Sequence, residues 1–158
     1  MLETVFGLPL HPLVVHAAVV LVPLAAIGAV LMAVSSRFSR RFGVLVTVIA
    51  ALGLIASVLA KSSGEELAEQ VGMPQPHAEL ADPMPIIALV LAALVAALWL
   101  LDRGRPTNRR RPVPVVIVAV AGVLVAVLAT VWMVRVGHTG AEAVWSRVGA
   151  ASAGVLVE

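Results

Sequence analysis

No cysteine occurs among the 158 residues. Disulfides, thiolate nucleophiles, cysteine-ligated zinc, iron–sulfur clusters and the C-x-x-C-H attachment of a covalent haem are thereby excluded. Charge is scarce too: 13% of the residues are Asp, Glu, Lys or Arg against 61% hydrophobic, and mean hydropathy is +1.05. Four apolar runs, 13–34, 44–60, 86–101 and 113–134, contain no charged side chain at all. A chain without an intramembrane carboxylate has no proton relay, which argues against a proton-coupled transporter or a polar channel. A Gly-rich phosphate loop and any Ser/His/Asp spacing are also missing, so no catalytic residue is assigned.

What remains is membrane architecture. Each run crosses a hydrocarbon core of about 30 Å once flanking turns and tilt are counted. Too little polar chain is left for a soluble domain. Residues 1–158 are therefore expected to form a single all-α transmembrane domain, a four-helix bundle with helices over about residues 11–35, 43–61, 84–101 and 113–136. An outer loop is expected over residues 62–83 and an outer C-terminal segment over 139–158. The sequence pI near 10.4 would point to nucleic acid in a soluble protein. Here eight of the eleven basic residues fall in two connections, Arg37, Arg40 and Arg41 in one and Arg103, Arg105, Arg109, Arg110 and Arg111 in the other. By the positive-inside rule both connections are cytoplasmic and both chain ends lie outside, and no nucleic acid partner is expected. The middle loop, with Glu65, Glu66, Glu69, Glu79 and Asp82, fits the outer side.

Smaller signals refine this. Pro12 suits a first helical turn, and Pro23 predicts a kink in the first span. Trp99 and Trp132 read as interfacial belt residues, and the many Gly and Ala residues as close-packing surfaces. Ser63-Gly64-Glu65-Glu66 after the second span and Thr139-Gly140-Ala141-Glu142 after the fourth both fit Ser/Thr-x-x-Glu. That pattern predicts capping boxes at the starts of short outer helices. It is equally compatible with two hairpins descended from a duplicated pair, their outer ends forming one site.

All four histidines lie on the expected outer side: His11 and His16 at the start of the first span, His77 before the third and His138 after the fourth. His16 sits about 7–8 Å deeper than His11 and about 140° around the helix, so the two do not share a face. His16, as an ionisable residue within the membrane, is the strongest single candidate, and its partner is expected from outside the first helix. Two kinds of cofactor fit such residues. Haem b would be held by His16 and a histidine of another segment, with Arg135 and Lys61 pairing its propionates. Alternatively His11, His16, His77 and His138 converge on copper or zinc, with Met73, Met84 or Glu66 as further donors.

The stretch Gly7-Leu8-Pro9-Leu10-His11-Pro12-Leu13-Val14-Val15-His16, taken with Gly137-His138-Thr139-Gly140-Ala141-Glu142-Ala143-Val144 after the last span, resembles the bacterial membrane proteins grouped as domain of unknown function 2231. The resemblance covers nearly the whole chain, with His77 where that family often has a histidine. Such proteins are similar in layout to small four-helix b-type cytochromes, and members occur beside or fused to c-type cytochromes or Rieske-like modules. For this chain the resemblance implies a multi-pass protein of the bacterial cytoplasmic membrane. It also implies haem-linked electron transfer at the outer face, between a quinone or membrane partner and an external redox protein, with His11, His16, His77 and His138 as candidate ligands. Such a chain would act as a redox subunit without independent catalysis; a copper or zinc protein, a homo-oligomer, or a non-catalytic subunit of a larger membrane complex are the alternatives.

Overall fold

The computed structural model describes residues 4–5, 8–71, 75–106 and 110–155. Met73, Arg109 and the extreme chain ends lie outside these residues, and so does any assignment of side to the two ends. A two-residue ladder pairs β1 (Thr4–Val5) with β2 (Leu8–Pro9), Thr4 opposite Pro9 and Val5 opposite Leu8. It leads into α1 (Leu10–Val34), followed by α2 (Ser36–Val71), the short α3 (Gln75–Ala81), α4 (Met84–Arg103) and α5 (Val113–Val155). Four helical stretches, His11–Val34, Ser36–Glu69, His77–Arg103 and Val113–Glu142, are long and apolar enough to cross a membrane.

α1 and α4 each pack on both α2 and α5. Exchanging the α1–α2 hairpin with the α4–α5 hairpin therefore maps the bundle onto itself, a pseudo-twofold along its length. The interior is built from small side chains. On α1 the buried stripe is Ala18, Val22, Ala25, Ala29 and Met32, while Val20, Ile27 and Leu31 face outward. Lipid solvates large apolar groups as well as protein does, so close backbone approach and dispersion hold such a bundle together. A Cβ on Gly28 would come within 2.5 Å of Val46 Cγ1, so α1 and α2 touch there because nothing larger fits.

Several expectations change. Residues 36–42 are not a connection but the first turns of α2, and one residue, Ser35, makes the corner. Its N–H reaches the Leu31 carbonyl at 3.1 Å, and its hydroxyl accepts the Phe38 N–H at 3.2 Å as an N-cap. Pro23, where a kink is expected, lies inside the continuous span of α1. α2 continues to Val71, and α5 to Val155, so most of the expected outer segments are helix. The capping-box reading falls with this: Ser63 and Thr139 lie inside helices, their hydroxyls donating to Leu59 O at 2.8 Å and Arg135 O at 3.2 Å. Nor are the tryptophans only belt residues. Trp99 fills the space beside Gly43, where a Cβ would overlap the indole, and Trp132 donates its Nε1–H to Leu80 O at 2.7 Å, holding α3 against α5.

One fastening closes the arginine-rich end. Asp102 is fully buried and takes Arg111 Nη2 at 2.6 Å and Nε at 3.1 Å. The same guanidinium donates to Met32 O at 2.6 Å and to Ala33 O, carbonyls that the end of α1 leaves without helical partners. Removing one member of such a pair strands a buried charge. Asp102→Ala is expected to lower stability by about 3–5 kcal/mol in a denaturant titration of the detergent-solubilised protein. A loss of no more than about 1 kcal/mol, the scale of a surface pair, would contradict this placement.

Candidate functional site

The site lies at the end of the bundle opposite Asp102. His11, on the first turn of α1, inserts its ring against α2. Its Nδ1 lies 3.1 Å from Ala60 O and 3.1 Å from Ser63 Oγ. A carbonyl only accepts, so Nδ1 carries the proton and donates to both oxygens, while the Ser63 hydroxyl spends its own proton on α2. Behind the ring stands Gly64, where a Cβ would be 3.0 Å from His11 Cε1.

His77, on α3, does the same against α5. Its Nδ1 lies 3.2 Å from Val136 O and 3.3 Å from Thr139 Oγ1, and a Cβ on Gly140 would be 3.1 Å from its Cε1. The two clamps correspond residue for residue: Ala60, Ser63 and Gly64 have their counterparts 76 positions on, in Val136, Thr139 and Gly140. Both imidazoles are half-buried and both hold the Nδ1–H tautomer. Each has Nε2 without a hydrogen bond among the described residues. They occupy equivalent places about the pseudo-twofold.

The other two histidines are not drawn in. His16 is exposed and bonds Pro12 O of its own helix at 2.5 Å, so the partner expected from another segment is not there among the described residues. His138 is 72% exposed and sits 3.2 Å from Glu142 on the next turn. Two cations rim the clamps. Lys61, next to Ala60, pairs with Asp82 and lies 3.9 Å from Glu65; Arg135, next to Val136, lies over the Trp132 ring. Met84 is buried in the core, and Glu66 is exposed.

A signal for choosing His11 over His16 was present in the sequence. His11 lies seven residues before Ala18, on the stripe of small residues that continues through Val22, Ala25 and Ala29, whereas His16 belongs with Val20, Ile27 and Leu31. In a membrane bundle the small residues mark the inside. Gly-x-Pro also precedes each clamped histidine, as Gly7-Leu8-Pro9 and Gly72-Met73-Pro74, a second half of the repeat already seen in the Ser-Gly and Thr-Gly pairs.

The donor chemistry suits a metal-centred cofactor. A ligating imidazole presents one nitrogen lone pair and hands its other N–H to a carbonyl or carboxylate, which fixes ring and tautomer. A bis-histidine haem site uses two such rings, and Gly64 and Gly140 leave room for each ring against its neighbouring helix. A zinc or copper site of the usual kind draws three or four donors, and among the described residues no group of three or more His, Asp or Glu comes together. At a pH where imidazole is neutral, 15N NMR of histidine-labelled protein should give His11 and His77 in the Nδ1–H form with slow exchange, while exposed His16, whose Nδ1 also faces a carbonyl, shares that tautomer but exchanges with water, as does His138. The first two signals should disappear one each in His11→Gln and His77→Gln, and Gly140→Val should convert one of them.

The family profile described as "predicted membrane protein (DUF2231)" matches residues 7–152, and the chain belongs to that family. With four helices of spanning length it is a multi-pass membrane protein. No curated protein and no solved structure matches it.

Proposed function

We propose that this member of the family of domain of unknown function 2231 binds haem b between His11 and His77. It then passes electrons between a membrane-soluble donor such as a quinone and a redox protein on the outer side. The observation that carries this reading is the repeated clamp: two imidazoles, one from each half of the chain, in one tautomer and against the same acceptors. The haem would supply reversible one-electron chemistry without proton transfer to the protein.

The chain's own part is positioning and electrostatics. Donation from Nδ1 to Ala60 O and Val136 O raises electron density at each Nε2, which favours the oxidised state of a bound metal centre and lowers its potential. Ser63 and Thr139 back these bonds with a second acceptor each. Lys61 and Arg135, one residue from the two clamping carbonyls, stand where propionates would be neutralised. The arginine excess at the other end supports an outward-facing histidine end under the positive-inside rule.

Purified in mild detergent, or supplied with hemin, the protein should give a low-spin Soret spectrum that His11→Ala and His77→Ala each abolish and His16→Ala and His138→Ala preserve. Ser63→Ala and Thr139→Val, which leave the carbonyl acceptors in place, should each weaken hemin binding by up to about tenfold. A protein that takes up no hemin, or one whose spectrum depends on His16 and not His11, overturns the assignment. Stoichiometric copper or zinc in the colourless protein would replace haem with a metal centre.

A further inference from the structure

At the arginine-rich end an open groove of about 580 Å³ lies between the close of α1, the start of α2 and the first turns of α5. Its wall is apolar, with Val116, Val120 and Val123 inside the span that begins at Val113. Along α5 these residues cover about 10 Å of rise, in the direction a lipid chain runs. Its rim is polar and cationic: Ser36, Arg110 and Arg111. The rim stands just ahead of the apolar span, at the level where bilayer head groups lie.

The two arginines differ in what they have left to offer. Arg111 is fixed by Asp102 and by the carbonyls of Met32 and Ala33, so its charge is already balanced and one Nη1 proton remains. Arg110 is exposed and makes no ion pair or hydrogen bond among the described residues. Asp102 is the one acid in the sequence between Ser35 and Pro112 at this end, and Arg111 occupies it. The rim therefore carries an uncompensated positive charge directly above an apolar trough. A free phosphate would use the rim and leave the trough unfilled, and a choline head group would meet charge of its own sign.

We propose that this groove binds an anionic phospholipid, its phosphodiester on Arg110, Ser36 and the remaining Arg111 donor, and one acyl chain along Val116, Val120 and Val123. Native mass spectrometry of the full chain, equilibrated in detergent with equimolar phosphatidylglycerol and phosphatidylcholine, tests this. One phosphatidylglycerol should be retained with a several-fold preference. Arg110→Gln should bring the preference close to unity, and Val120→Trp, which fills the trough, should lower retention of both lipids. Arg105→Gln, an arginine of the same end outside the groove, should change nothing. Unfolding curves in lipid-free detergent establish that the variants fold; if Val120→Trp does not, the Arg110 and Arg105 comparison still decides. Equal loss in those two variants would mean diffuse attraction by the whole arginine-rich end and would refute the site. So would wild type without preference, or full displacement of the lipid by glycerol phosphate.

Discussion

Inside a hydrocarbon slab a polar group that finds no partner in the protein finds none at all, and this constraint places most polar side chains of the spans, the buried Ser39 Oγ and Arg40 Nη2 near the arginine-rich end being without a partner among the described residues. Ser57 and Thr130 return their hydroxyls to carbonyls four residues back, Gly53 O and Ala126 O. Asp102 and Arg111 satisfy one another and then the frayed carbonyls of α1, so a single pair fastens α1, α4 and α5 at one end. His11 and His77 obey the same rule at the other end, each giving its one proton to a carbonyl across a helix interface. The remaining nitrogen of each ring has only an acceptor's role to offer, and that leftover capacity is what makes this end chemically distinctive.

The spans were legible because hydropathy is a one-dimensional property: an apolar run of sufficient length is stable across a hydrocarbon core and not exposed to water. Their polar continuations were not. Ser36–Phe42 and Ser62–Val71 are helical in the structure, yet hydropathy reports the solvent around a segment and not its backbone, so a helix that leaves the membrane reads as a loop. The face of α1 was equally hard to read by habits formed on soluble proteins, where Leu and Ile point inward. Here Ala18 and Ala25 are inside and Ile27 outside, and with that inversion His11 becomes the interior histidine and His16 the peripheral one.

The internal repeat was visible only in part, for two reasons. A hydroxyl followed three residues on by Glu is the same string whether a helix begins there or merely passes through, so Ser63 and Thr139 looked like caps. The halves are also out of step. The clamping residues of α2 and α5 are 76 positions apart, but His11 and His77 are 66 apart, chiefly because Ser35 alone joins α1 to α2 whereas residues 104–112 join α4 to α5, the rest arising where α3 gives way to α4. The longer connection is also the one that Arg111 ties down, and among the described residues its buried ion pair has no counterpart in the first half.

The two halves have kept different things. Five residues after His11 stands His16, facing outward; five after His77 stands Asp82, which reaches Lys61 on the other hairpin. His11 rides on α1 itself, whereas His77 rides on a separate short helix held by Trp132. Supports, connections and neighbouring polar residues differ between the halves, while the ring, its carbonyl, its hydroxyl and its glycine correspond one to one. What both halves share is the environment that sets the tautomer and leaves each Nε2 without a hydrogen bond among the described residues, so the feature common to them is a pair of oriented imidazoles.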